Sequence, residues 1–109
     1  MRHTVYISGP ITLGDPEHNF AQSCVVQHLL INAGFAPLNP MLTMKLPMNE
    51  NFSHAVWMGV DIPWVAKADT VFRLPGESVG ADEEVKYAED HGIPVFYNLA
   101  DIVQWKESV

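Results

Sequence analysis

Apolar and polar positions alternate along this chain between short β-like runs and longer helical ones. His3 to Ser8, HTVYIS, is β-branched and aromatic and closes on Gly9-Pro10, which predicts a first strand. Asp15-Pro16-Glu17 then opens a helix. Asp15 supplies the capping oxygen, proline's fixed φ suits the first helical position, and an early acid complements the dipole. Its apolar side is read as Ala21, Cys24, Val25, His28 and Leu29, and Gly34 stops it. His28 on that side reads as a core or interface histidine rather than a ligand. Phe35 to Leu38 is a second strand, ended by Pro40. Met41 to Asn51 is apolar without a clear period and is broken by Pro47; its methionines suit either a flap over a pocket or a subunit contact.

Asn51 to Val60 predicts a helix with Phe52, Ala55, Val56 and Gly59 on one stripe, and Trp57 as core or interface. Asp61 to Ala68 predicts a second, short helix with Asp61 as N-cap and Pro63 in its first turn, where proline is tolerated. Asp69 to Leu74 is a third strand. A loop of Pro75, Gly76, Ser78 and Gly80 then opens into a helix on which Ala81, Glu84, Val85 and Ala88 share a face. One carboxylate, Glu84, thus lies on the side that packs towards a sheet. Gly92 ends that helix, Ile93 to Tyr97 is a fourth strand and Leu99 to Trp105 a closing helix.

The order β-α-β-α-α-β-α-β-α predicts an α/β, three-layer Rossmann-like or flavodoxin-like domain over residues 1–109, with a four- or five-stranded parallel sheet. Such sheets bind ligands beyond the carboxyl ends of their strands, where the strand order reverses. If the order is 2-1-3-4, the Ser8-Gly9-Pro10 turn and the Pro75 to Gly80 loop face each other at that point.

Composition narrows the partners. With 109 residues, 48% of them apolar and 17% charged, the chain is an ordinary globular domain, small for a cleft made within one subunit. A net charge of −7 argues against a nucleic-acid polymer or an anionic membrane as partner, though not against a small phosphate held by backbone amides. Cys24 is the one cysteine, so no intramolecular disulfide forms, and with no leader-like segment or long apolar run the chain reads as cytoplasmic. Its five histidines have no metal-ligand spacing, and neither a metal nor another cofactor is expected.

Helix starts and strand ends share an edge in βαβ units. Glu84 and Asp61 should therefore lie on the ligand edge, Asp69 on the opposite one, and Glu77 towards either solvent or ligand. Tyr6, near the end of the first strand, reads equally as a core tyrosine with its hydroxyl at the rim or as a pocket hydroxyl. Two carboxyls in one pocket suit work on a glycosidic bond, one attacking the anomeric carbon and the other, kept protonated, helping the leaving group depart.

Three patches resemble the nucleoside 2-deoxyribosyltransferase-like superfamily, including its deoxynucleoside 5′-monophosphate N-glycosidases. Tyr6-Ile7-Ser8-Gly9-Pro10-Ile11 is similar to the family's Y-x-x-G-[PS]-[IF] strand and turn. Asp61 to Asp69 is similar to D-x-x-W-[LV]-x-x-A-D, and Ser78-Val79-Gly80 with Glu84 and Ala88 to S-x-G-x-x-x-E-x-x-x-A. The run from Arg73 to Glu84 also resembles the RLPGES-x-GAD-x-E of small, phage-associated relatives.

The resemblance implies that Glu84 is the nucleophile, that Tyr6 orients it and that Asp61 protonates or hydrogen-bonds the departing base. It implies that Ser8, Gly9, Pro10, Ile11, Ser78 and Gly80 bind a small-molecule nucleoside or nucleotide, with Asn98 contributing across a subunit interface. A homodimer or larger assembly is implied too. Ser78 stands where the monophosphate hydrolases carry a phosphate-binding serine, but the turn from Gly9 to Gly14 lacks the arginine those hydrolases have there. Two other readings remain. One is a non-catalytic protein binding nucleotides or ADP-ribose-like ligands on the same fold. The other is a phosphoribohydrolase of the lysine-decarboxylase-like group.

Overall fold

The computed structural model describes residues 1–45 and 52–109. In chain order it has strand β1 (Thr4–Ser8), helix α1 (Pro16–Asn32), strand β2 (Ala36–Leu38), a 3-10 turn (Pro40–Lys45), helix α2 (His54–Lys67), strand β3 (Thr70–Arg73), helix α3 (Val79–Asp90), strand β4 (Val95–Phe96) and helix α4 (Leu99–Ser108). All pairs in the sheet are parallel and the order is β2-β1-β3-β4. The α/β class and the parallel four-stranded sheet are those the sequence predicts. No helix among the described residues is long and apolar enough to cross a membrane.

Buried side chains fill both faces of the sheet. Val5, Ile7, Phe35, Phe72 and Ile102 pack on one side, and Tyr6, Val65, Val71 and Ala88 on the other. The alternation along β1 follows from the period of two in a strand: Val5 and Ile7 point one way, Tyr6 and Ser8 the other. The second face is the one that α2 and α3 cover.

Three features of the helices differ from expectation. On α1 the buried residues are Asn19, Ser23 and Leu30, whereas Ala21, Val25, His28 and Leu29 are exposed and Cys24 is half-buried. The inward face is disguised by polar residues that find partners inside. Asn19 donates to the carbonyls of Ile11 and Leu13, and Ser23 accepts from Asn39.

Second, the segments expected as two helices form the single helix α2. Ser53 is its cap, with Oγ accepting from Val56 N at 3.3 Å. Asp61 is accordingly not an N-cap; it lies inside the helix. Pro63 removes one amide bond and crowds the carbonyl of Gly59, a cost of about 3 kcal/mol in a helix interior. That carbonyl belongs to an exposed residue, where water can satisfy it, and Val65 beyond it is fully buried.

Third, of the predicted stripe, Ala55, Val56 and Gly59 are exposed on α2, while Phe52 lies ahead of the helix, against the cleft. The inward side is Met58, Asp61, Ile62 and Val65. Of the segment Met41 to Asn51, residues 46–51 lie outside those described, and the flap or subunit contact expected there stays an expectation.

The two loops beyond the sheet meet as the strand order requires. Leu74 N donates to Ser8 O at 2.7 Å. A Cβ on Gly9 would stand 2.8 Å from Leu74 Cβ, and Gly76, at φ 112°, passes so close to Pro10 that a Cβ would come within 2.9 Å of its Cγ. Only glycine lets these two backbones approach this far.

Candidate active site

Beyond the carboxyl ends of β1 and β3 lies a cleft of about 520 Å³, a size typical of small-molecule sites. Its walls come from the turn after β1, the 3-10 turn, α2 and the first two turns of α3.

Glu84 is its chemical centre. Although it is a carboxylate, it is only 5% exposed, because the helical period puts it on the same face as Ala81 and Ala88. Both of its oxygens are held. Tyr6 Oη donates to Oε2 at 2.8 Å, and Ser8 Oγ donates to Oε1 at 2.7 Å. Tyr6 and Ser8 stand two residues apart on β1, so their side chains leave the same face of the strand and reach one carboxylate side by side.

The electrostatics follow from burial. Desolvation lifts Glu84 from the usual 4.5 to about 7; the Ser8 and Tyr6 hydroxyls oppose the shift, the charge of Asp61 adds to it and that of Arg73 pulls it down. Asp61 is raised as well, by burial, with a hydrogen bond from Tyr6 resisting. The Tyr6 phenol is driven far above its ordinary value by burial and then by the two neighbouring carboxylates. Tyr6 is thus a permanent donor that joins both acids into one coupled unit. Its one proton serves one carboxylate at a time, so the two acids do not titrate independently.

Of the residues singled out from sequence, Tyr6, Asp61, Glu84, Gly9, Ile11, Ser78 and Gly80 line the cleft. Ser78 also caps α3, its Oγ accepting from Ala81 N at 3.0 Å. Ser8 is fully buried and turned onto Glu84 rather than into the cleft, and Pro10 packs on Gly76 beside it. Asn98 caps α4, accepting from Asp101 N at 2.9 Å, and does not line the cleft. Asp69 sits at the opposite edge, exchanging hydrogen bonds with Thr4 at the strand starts.

Sequence reasoning missed two contributors. Arg73, almost buried, donates to the Leu74 and Gly76 carbonyls and pairs with Asp82, pinning the loop that leads into α3. Its place in the run before the glycines was the available signal. His54 in the first turn of α2 lines the cleft and meets Glu83. No local pattern marked it, because the contact joins two helices. Phe52 and Trp57 also wall the cleft, in an edge-to-face pair with ring centroids 5.6 Å apart.

A family model described as a domain of unknown function (DUF4406) matches residues 3–97. No curated protein sequence matches the chain. Among solved structures, a conserved protein from Enterococcus faecalis V583 superposes with a TM-score of 0.72 at 15% identity, covering 87% of this chain and 62% of that one. A 2-deoxyribosyltransferase from the psychrotolerant bacterium Bacillus psychrosaccharolyticus superposes with a TM-score of 0.66 at 19% identity, covering 84% of this chain and 69% of that one. The chain therefore spans about two thirds of the length of each. At these identities the likeness establishes a shared fold, the one the sequence motifs imply.

Proposed function

We propose, for a chain that belongs to the DUF4406 family, that it cleaves or transfers at the N-glycosidic bond of a deoxynucleoside or its 5′-monophosphate, through Glu84. One observation carries this reading: a buried carboxylate at the wall of a small-molecule cleft, with each oxygen fixed by a hydroxyl from β1. The fold shared with a 2-deoxyribosyltransferase supports it.

In the first step a Glu84 oxygen bonds to the anomeric carbon and the carbon–nitrogen bond breaks. Its electron pair passes to the base, which takes a proton from Asp61. Glu84 is then esterified to the sugar. In the second step water or another base attacks the same carbon, the ester bond breaks, and Asp61 recovers a proton from the acceptor. Tyr6 and Ser8 hold the carboxylate in one rotamer through both steps, so its orientation is fixed before substrate arrives.

The test is release of free base from each deoxynucleoside and 5′-monophosphate, followed by chromatography. Turnover by Glu84→Ala at the wild-type rate ends the proposal. Thermal stabilisation by the same compounds without product favours a binding protein on the same fold.

The protein acts as a homodimer or larger assembly in this reading. Val56, Val60 and Trp64 recur every fourth residue along the outer side of α2 and are exposed by 46%, 46% and 55%. An apolar stripe of that kind on a cleft-forming helix suits contact with a second copy.

A further inference from the structure

His54 is the one basic side chain among the described residues that line the cleft. Its Nε2 lies 3.2 Å from Glu83 Oε1, and its ring covers Gly80, where an added Cβ would come within 3.5 Å of Cε1. Gly80 and Glu84 lie one turn apart on the same side of α3. The imidazole consequently stands at the cleft mouth about one helical turn from the buried carboxylate, already matched to a carboxylate of its own.

Four other cations among the described residues are engaged away from the cleft. Arg73 is tied to the Leu74 and Gly76 carbonyls and to Asp82, Arg2 to the Ile31 and Phe35 carbonyls, Lys86 to Asp90 and Lys106 to the Ala33 carbonyl. A ligand entering the cleft meets the carboxyls of Glu84 and Asp61 and an imidazole that already faces the Glu83 carboxylate.

Resting on the glycosidic reading of this cleft, we infer that the His54–Glu83 pair is its charge filter, selecting an uncharged glycoside against the same glycoside bearing a phosphate. A phosphate monoester carries a charge of about −1.5 to −2 at neutral pH. With Glu83 in place, the imidazole nitrogen is already engaged by a carboxylate, which also repels the phosphate. A dianion near Glu84 also pushes that carboxyl, already lifted to about 7, further towards its protonated form, and so removes the nucleophile that the reaction needs. Neutralising Glu83 leaves the imidazole to face the ligand.

The experiment compares a deoxynucleoside with its 5′-monophosphate in the wild-type chain, Glu83→Gln and His54→Gln. It uses kcat/KM for base release, and dissociation constants from calorimetry where there is no turnover. Both side chains are about half exposed, 56% and 48%, so neither substitution threatens the core. The wild type is expected to favour the nucleoside at least tenfold. Glu83→Gln should narrow that ratio at least threefold through KM or Kd for the monophosphate, and His54→Gln should not narrow it. A wild-type preference for the monophosphate, or a ratio unmoved by Glu83→Gln, overturns the inference. Absence of base release from every compound counts against the glycosidic reading instead, and the binding ratio still decides the filter.

Discussion

Tyr6 and Glu84 are 78 positions apart in sequence, yet the Tyr6 hydroxyl donates to Glu84 Oε2 at 2.8 Å inside the protein. With Ser8 on the other oxygen, that contact makes a buried carboxylate tolerable. Desolvation still dominates, and the carboxyl is left at about 7. The site is therefore held at a cost to the fold, and the cost depends on pH.

That cost gives the first prediction. Between the usual 4.5 and about 7 the folded protein binds more protons at Glu84 than the unfolded chain does, so stability falls as pH rises through this window. At 1.36 kcal/mol per pKa unit the loss is on the order of 3 kcal/mol. Glu84→Gln, which keeps the shape and removes the titration, should melt several degrees above wild type at pH 8, with the gap shrinking towards pH 5. Melting curves across that range check it; a gap that is constant with pH contradicts it.

Activity should rise with pH as the Glu84–Asp61 pair loses its first proton and fall as it loses its second, because the reaction needs one acid ionised and the other protonated. Burial raises both acids, and the hydrogen bond from Tyr6 resists the shift in each. The profile should be bell-shaped, its two limbs belonging to the coupled pair. Asp61→Asn should abolish the alkaline limb along with most base release, measured as kcat/KM against pH.

Tyr6→Phe removes one hydrogen bond to a charged group, worth about 1.5–3 kcal/mol. Activity should drop roughly ten- to hundredfold by that measure, and the acid limb should move to higher pH, since the ionised form of Glu84 loses a donor. Ser8→Ala should do the same through the other oxygen. The double variant should lose less than the product of the two, because both donors orient one carboxylate. Unchanged acid limbs in both single variants argue against this role.

Gly9→Ala sets a methyl 2.8 Å from Leu74 Cβ. Overpacking of this kind typically costs about 1–3 kcal/mol. The damage should fall on activity as well as stability, because the loops it forces apart carry the cleft. Denaturant melts and base release on the same sample test both.

Replacing Trp64 or Val60 by glutamate puts a charge into the exposed stripe of α2. If a second copy covers that stripe, sedimentation should show smaller species than the wild type. Far-ultraviolet dichroism should stay unchanged, since neither side chain supports the core.

Much of this was written locally. Asp15 capping α1, Ser78 capping α3 and the glycines that end both helices are short-range chemistry, readable from a few neighbouring residues. The side of α3 that bears Glu84 follows from its period of three to four, and the pairing of Tyr6 with Ser8 from a strand's period of two. Where polar residues turn inward the same reasoning misleads. Asn19 and Ser23 occupy the buried face of α1 because their hydrogen-bond partners lie on other segments, and periodicity cannot register a partner distant in sequence. Asp61 does not make the cap its sequence context suggests; it reaches the cleft from the inward side of a longer helix.

Sequence alone determined the parallel α/β order, the loops that must meet beyond strands β1 and β3, and which carboxylate the helix turns inward. Packing decided the rest: the two hydroxyls on that carboxylate, its displaced pKa, the single helix running through Pro63, and His54 against Glu83. Each of these depends on desolvation or on contacts between segments far apart in the chain, and such energies exist only once the layers have closed on one another.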